Sequence, residues 1–399
     1  MAAIDTEANG ARRVDHIDAS LLTVAAVYGP NASGKSNLLN AIRWLSDAVG
    51  LSLTNWSEGI PLDPFALSKS QPTSFAVELA IGDQRYTYEL ELDRTEVKYE
   101  ALFHYPVRKR RRVFERIGQE ISVQRGIGGF SGTKKLVTPT TLVLAAAYRL
   151  GEPHAYEVAH ELRSISSLGV TPFAALRFAP DRETLSLFES RPDDGIDDTE
   201  PLFDIETETE RKTKALNLLR AADLGIDAVD VKFETIELQE RSFKRPRVTF
   251  SHNLSGEQAN LNFREESHGT QTWFNLIGPV LSALETGSLI LFDELDSGLH
   301  PVLAVRLVKL FKSPVSNPHG AQLIFTSHDV SLMESLNRDE IWFSEKDRGG
   351  VTSLAPLSEF AGGRVRKTER LSSGYLAGRY GAIPDVDDFA VFRALGLIG

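Results

Sequence analysis

The chain has 399 residues, enough for two or three domains around a large apolar core. Its 42% hydrophobic and 25% charged residues are those of an ordinary globular protein, and no apolar run is long enough to cross a bilayer. Zero cysteines exclude disulfides, thiolate catalysis and cysteine zinc sites, and a net charge of −11 argues against a protein that coats nucleic acid. Met1 to Arg13 lacks the apolar core of a signal peptide, so the expected location is cytoplasmic, with no membrane partner.

An apolar run from Leu21 to Tyr28 leads into Gly29-Pro-Asn-Ala-Ser-Gly34-Lys35-Ser36, and a helical pattern follows from Asn37 to Leu45. G-x-x-x-x-G-K-S in this strand–loop–helix order predicts a phosphate-binding loop. Its glycines let backbone amides curl around a polyphosphate, and the helix start adds partial positive charge. Lys35 is placed to reach the β- and γ-phosphates, and the Ser36 hydroxyl to hold Mg²⁺.

Phe75, Val77, Leu79 and Ile81 then alternate with polar residues, and after Gly82-Asp83 so do Tyr86, Tyr88, Leu90 and Leu92. The pattern predicts an antiparallel hairpin with one buried face. Tyr99 to Phe103, Val113 to Ile117 and Ile121 to Arg125 read as further strands, and Gly126 to Gly132 as a loop. Between them lies the basic run Arg108-Lys-Arg-Arg-Arg112. It is either a grip for a nucleic-acid backbone or a solvated hairpin edge whose charges discourage strand pairing, the second being the plainer reading.

From Thr140 to Leu224 the pattern is mainly helical, broken by Pro153, Pro172, Pro180 and an acidic loop from Arg191 to Thr199 inside the acidic stretch Asp193 to Glu210. Ile205 to Asp223 predicts a long helix with Leu216, Leu218 and Leu219 on its apolar side. No heptads are sustained, which excludes long coiled-coil arms. Val229 to Leu238 and Arg247 to His252 read as strands. Ser288 to Phe292 and Gln322 to Thr326 read as buried strands, Val302 to Phe311 as a helix and Glu340 to Ser344 as one more strand. Strands alternating with helices imply a mainly parallel sheet with helices on its faces.

The Ser288 to Phe292 strand ends in Asp293-Glu294, an acid for Mg²⁺ followed by one to polarise the attacking water. The long interval between Lys35 and Asp293 implies a substantial insertion. His328, at the tip of the Gln322 to Thr326 strand, is placed to contact a γ-phosphate. Ser267-His-Gly269-Thr270-Gln271, ahead of a helical pattern from Trp273 to Leu284, makes a second anion site from a hydroxyl and backbone amides. Its economical target is the γ-phosphate on a partner's nucleotide across a dimer.

Phosphate loop, Ser-x-Gly-Thr-Gln signature, Asp293-Glu294, Leu295-Asp296-Ser-Gly-Leu-His300-Pro301 and His328 together resemble an ABC-type, AAA-like ATPase head of the OLD, RecF and RloA-like group. Arg338 to Asp347 and Tyr375 to Pro384 resemble the RloA-like members found in bacterial anti-phage systems. The resemblance runs from about Leu22 to Pro384. It implies an α/β fold: an ABC-ATPase-like head with a mainly parallel sheet around the phosphate loop, an antiparallel β subdomain and a helical lid insertion. The expected segments are 1–139, the lid 140–228, and 229–399. It further implies that Gly29, Asn31, Ala32, Ser33, Gly34, Lys35, Ser36 and Asn37 bind nucleotide. Ser36 and Asp293 hold Mg²⁺, while Glu294 is the base, acting with Lys35 and His328. Ser267, Gly269 and Thr270 act in trans, and Asp296 lies at the dimer seam. His300 reads as structural. Two family features are missing from the sequence: a Phe/Asn/Ser-rich strand pair ahead of Leu21, and a glutamine near Leu62 to Phe65 for sensing Mg²⁺.

The expected cofactors are ATP and Mg²⁺, and the expected activity is ATP hydrolysis. The expected partners are a second copy, forming a homodimer or higher oligomer with ATP sandwiched between heads, and an effector protein, a TOPRIM-like or other nuclease. The alternative is a RecF/SMC-like, ATP-gated DNA-binding repair protein without an effector, gripping DNA through Arg108 to Arg112. Glu345, Asp385 and Asp387 have the letters of a TOPRIM metal site. Too little chain follows His328 for such a domain, so they read as solvated tail residues.

Overall fold

In a computed structural model of the chain, the described residues are 3, 10–14, 17, 19–126, 130–169, 179–189, 202–222, 225–238, 241–254, 257–360, 370–383, 393 and 395. The elements begin with β1 (Ala11–Val14), β2 (Ala19–Leu22), β3 (Val24–Tyr28) and α1 (Lys35–Asn55). β4 (Thr73–Ile81), β5 (Gln84–Leu92), β6 (Val97–His104), β7 (Arg111–Ile117) and β8 (Glu120–Val123) follow, then α2 (Ser131–Leu136), α3 (Val143–Arg149), α4 (Ala155–Arg163) and β9 (Ser166–Leu168). Next come α5 (Arg182–Phe188), α6 (Leu202–Ala221), β10 (Ile226–Leu238), β11 (Arg241–Leu254), β12 (Glu257–Asn262) and α7 (His268–Thr286). The chain continues with β13 (Leu289–Phe292), α8 (Leu295–Gly298), α9 (Pro301–Lys312) and β14 (Gln322–Thr326), and closes with β15 (Ile341–Lys346), β16 (Thr352–Pro356), α10 (Leu357–Phe360) and α11 (Leu371–Leu376). Two compact units result, one of Met1–Thr6, Ala11–Leu21 and Asn40–Ser166, the other of Glu7–Gly10, Leu22–Leu39 and Ser167–Gly399. Helices of the 140–228 stretch occur in both.

The first unit is built on an antiparallel sheet in the order β4-β5-β6-β7-β8. The alternation read in the sequence is realised: Phe75 faces Leu90, Val77 faces Tyr88 and Leu79 faces Tyr86, while the intervening β4 side chains are exposed. Period-two strands bury one face this way when only one side of the sheet is covered. Tyr88, Leu90, Leu102 and Phe114 pack with Val143, Leu144, Ala147, Val158 and Leu162 in one core. Three consecutive buried alanines, Ala145 to Ala147, keep α3 slim.

That core contains an acid and a base. Glu100 is fully buried and accepts from Tyr88 Oη at 3.0 Å and from the Val143 and Leu144 N–H groups at 2.7 and 2.8 Å. Its carboxylate therefore satisfies the first amides of α3 and complements the positive end of that helix. Arg116, also fully buried, donates to the carbonyls of Gly118, Thr141 and Thr138 at 2.7, 2.6 and 2.9 Å. Burial pushes the Glu100 carboxyl up and the Arg116 guanidinium down, and their mutual attraction opposes both shifts.

The second unit holds a sheet in the order β16-β15-β3-β14-β13-β9. β15, β3, β14 and β13 run parallel, and β16 returns antiparallel to β15. All five residues of β3 are buried, as a strand flanked by neighbours and covered on both faces requires. Ile290, Leu323, Phe325, Ile341 and Phe343 join it in a core with Phe274 and Ile277 of α7 and Leu307, Val308 and Phe311 of α9. A three-stranded sheet, β10-β11-β12, adds Val231, Val248 and Phe250.

The α/β fold with a mainly parallel sheet and an antiparallel sheet matches the expectation. α6 carries buried Leu219 and half-buried Leu216 and Leu218. Five details differ. β1 and β2 form a strand pair ahead of β3, where none was expected. α2 begins inside the expected Gly126 to Gly132 loop. Ser166–Leu168, within the helical stretch, is a strand at the edge of the parallel sheet, and β12 is a strand with only Ala259 and Leu261 as apolar letters. Glu345 belongs to β15 and accepts the Ala382 N–H, so it is no solvated tail residue. The acidic loop 191–199, Asp385 and Asp387 lie outside the described residues. Among the described residues no helix is long and apolar enough to cross a membrane.

Glu100→Ala leaves the Arg116 charge and two α3 amides without their partner, and is expected to cost about 3–5 kcal/mol in a denaturant titration of the whole chain. A second outcome concerns pH. His104, tilted against His154 with ring centroids 4.6 Å apart, is held below its ordinary value of 6.5 by burial, then by His154 and Arg111. The unfolded chain thus takes up the proton first. Its stabilising contribution is complete above about pH 6.5 and is lost as pH falls toward the folded value, so His104→Gln should flatten that part of the stability–pH curve.

Candidate nucleotide site

β3 delivers the loop and α1 receives it, both within the second unit as far as Leu39. Gly29 has φ +152°, and a Cβ there would lie 2.3 Å from the Ser344 carbonyl oxygen. Gly34 has φ +102°, and its Cβ would lie 2.4 Å from Thr352 Oγ1. Only glycine combines that backbone with that approach. Between them Ala32 is held at φ 62°, a strained setting for a side chain with a Cβ. The loop is braced from behind: Ser344 Oγ and Thr352 Oγ1 both donate to the Ser33 carbonyl, at 3.0 and 2.9 Å. Sequence reading missed both braces, because neither stands in a motif.

Lys35 is only 7% exposed, and its Nζ donates to the carbonyls of Gly29 and Pro30 at 2.9 and 3.0 Å. Burial lowers its pKa, and Asp293, Glu294 and Asp296 pull it the other way. Those three carboxylates and the lysine therefore share one place. Asp293 is half-buried at the end of β13, while Glu294 is exposed in a left-handed conformation (φ 55°, ψ 58°). Asp296 Oδ1 accepts the His328 N–H at 3.0 Å, tying the turn after β13 to the turn after β14. Tyr28, the last residue of β3, donates its hydroxyl to the Asp329 carbonyl at 3.2 Å; burial, then Asp329 and Asp296, raise its pKa.

Thr326 was also missed. Its hydroxyl lies between Asp293 and the Glu294 amide, and a polar β-branched residue closing the apolar strand Leu323-Ile-Phe was the available signal.

The remaining expected residues are placed as follows. Asn31, Ala32 and Asn37 are exposed around the loop and the first turn of α1, Ser33 is buried and Ser36 half-buried. Ser267 caps α7: its Oγ accepts the Thr270 N–H at 3.1 Å and lies 2.8 Å from Thr270 Oγ1. Ser267 is exposed, Gly269 half-buried and Thr270 buried. Among the described residues, the bonds and charge contacts of Lys35 and its carboxylates do not include these three. His300 caps α9 by accepting the Val302 N–H at Nδ1, a structural part. In the first unit, Arg110 pairs with Glu89 at 2.5 Å and lies over Phe103, and Arg112 pairs with Glu115 at 2.6 Å. Part of the basic run is thereby neutralised by its own sheet.

The donors suit a nucleoside polyphosphate with Mg²⁺. Ser33 Oγ is buried with no hydrogen-bond partner among the described residues, Gly29 and Gly34 leave no room for a Cβ, and a buried ammonium lies in the field of three carboxylates.

Residues 24–334 match the family model described as "AAA domain, putative AbiEii toxin, Type IV TA system". No curated protein matches the sequence. Similar solved structures include the SmcHead bound to the C-winged helix domain of ScpA, at 14% identity over 85% of this chain and 91% of that one, with a TM-score of 0.46. The SMC head domain from Thermotoga maritima is similar at 14% identity over 83% and 89%, with a TM-score of 0.35.

Gly29→Ala forces either the Ser344 carbonyl or the loop to move. Titration with a fluorescent ATP analogue should show at least about a tenfold weaker complex, since each 1.4 kcal/mol lost is a factor of ten. Wild-type affinity in this variant would contradict the cradle.

Proposed function

Because this chain belongs to the AAA-domain family whose model spans residues 24–334, a family of ABC/AAA-type ATPases, we propose that it hydrolyses ATP and uses it as an association switch. The observation that carries this reading is the parallel register of β3, β14 and β13, which brings the loop of the buried Lys35 and the acids Asp293 and Glu294 to one sheet edge. The loop amides and Lys35 bind the phosphates. Ser36 and Asp293 are the residues to hold Mg²⁺, which when bound offsets charge on the β- and γ-phosphates. Glu294 orients a water and takes its proton as the water oxygen bonds to the γ-phosphorus and the bond to the bridging oxygen breaks, leaving ADP and phosphate. His328, held through its own amide by Asp296, senses the γ-phosphate.

Ser267, Gly269 and Thr270 complete the site of a second copy, with Asp296 at the seam, so ATP joins two heads and hydrolysis releases them. The output is control of an effector protein, a nuclease, in bacterial defence against phage. The RloA-like motifs of the tail and membership of a family that includes a putative toxin of a type IV toxin–antitoxin system support that role. The pairing of Arg110 and Arg112 within their own sheet counts against a DNA clamp through Arg108 to Arg112.

Glu294→Gln is expected to slow phosphate release at least about a hundredfold, in the range ascribed to a general base, and to accumulate ATP-bound dimers by size exclusion with light scattering. An unchanged hydrolysis rate overturns the assignment. Co-purification with a nuclease that depends on ATP tests the effector.

A further inference from the structure

Thr326 closes β14 with a side chain wholly removed from solvent. The parallel register sets Phe292 opposite Phe325, so the next residues of the two strands, Asp293 and Thr326, emerge side by side. Thr326 Oγ1 donates to Asp293 Oδ1 at 2.6 Å and accepts the Glu294 N–H at 2.7 Å. A hydroxyl has a single proton to give, so donation to Asp293 leaves its lone pairs for the Glu294 amide. Both bonds run to the two acids of the hydrolytic site, and one of them anchors the amide of a residue in a conformation that side chains with a Cβ seldom adopt.

We propose that Thr326 is the positioning residue for hydrolysis: it pins Glu294 in its left-handed backbone and orients the Asp293 carboxylate toward the metal. This rests on the ATPase reading above. Nucleotide binding is the work of a separate part, the Gly29 to Ser36 loop braced by Ser344 and Thr352, so losing the Thr326 hydroxyl should separate chemistry from binding. The turn that follows β14 carries His328, whose amide bonds Asp296, so the end of β14 and its turn are stitched to the acidic turn at two points and Thr326 is the buried one.

The test compares Thr326→Val, which keeps the shape and removes the hydroxyl, with Thr326→Ser, which keeps the hydroxyl. The valine variant should lose about 10–100-fold in kcat, the usual effect of removing a partner of a metal-site ligand, with its ATP Kd unchanged within about threefold. It should also need several-fold more Mg²⁺ to reach half of the ATP-induced rise in melting temperature, a readout independent of turnover. The serine variant should retain kcat within about threefold. If valine does not fold, Thr326→Ala gives the same comparison with space left in place of the hydroxyl. Wild-type kcat in the valine or alanine variant, with Glu294→Gln inactive, overturns Thr326 alone. Equal losses in valine and serine overturn it as well, because packing rather than the hydroxyl is then responsible. If Glu294→Gln itself hydrolyses at the wild-type rate, the ATPase reading falls and this inference with it.

Discussion

The register of three parallel strands governs the site. Val27 pairs with Thr326, Phe325 with Ala26, and Phe292 with Phe325, so β3, β14 and β13 finish at one level. Each strand then releases a different chemical part at the same edge: β3 the glycine loop, β13 the acids, β14 a hydroxyl and a histidine. Crevices at the carboxyl ends of parallel strands are where such sheets collect ligands. A slip of one residue in β14 would point Thr326 at the opposite face and separate it from Asp293. The apolar packing of Ile290, Leu323 and Phe325 against α7 and α9 therefore does positional as well as thermodynamic work.

Much of this was readable from the letters because the signals are local. The glycine loop declares itself by spacing within eight residues, β13 and β14 by short apolar runs ending in charge or histidine, and the β4–β5 hairpin by strict alternation. What stayed hidden depends on partners distant in sequence. Ser344 and Thr352 look like ordinary strand residues until their hydroxyls meet the Ser33 carbonyl. Thr326 lies 33 positions from Asp293 in the chain, and only the sheet makes them neighbours. β12 eluded pattern reading because its letters, Glu-Gln-Ala-Asn-Leu-Asn, offer only Ala259 and Leu261 as an apolar face, and pairing with β11 defines it. Glu345 has the letters of a metal ligand, yet it serves as an acceptor for the backbone of the tail.

Two sites of buried charge, one in each unit, are built differently. In the first, Glu100 and Arg116 are saturated by neighbouring amides, a hydroxyl and carbonyls, so the pair is committed to holding the turn before α3. In the second, Lys35 is nearly as enclosed, but its partners are two loop carbonyls and the field of three carboxylates on a strand end. The first arrangement has little left to offer a ligand. The second keeps a cation and several acids within reach of an incoming anion.

The bonds from Lys35 to Gly29 and Pro30 have a consequence for which anions the loop selects. Two of the ammonium's three N–H groups are already donated to neutral carbonyls, so an anion that takes more than the third gains there only the difference between a charged and an uncharged acceptor. A lone phosphate or sulfate collects that difference once, and it also brings its charge beside Asp293, Glu294 and Asp296. A chain of phosphates spreads the same repulsion over more amides and gains a bond at each. On this balance a longer anion gains more from the loop than a lone phosphate does.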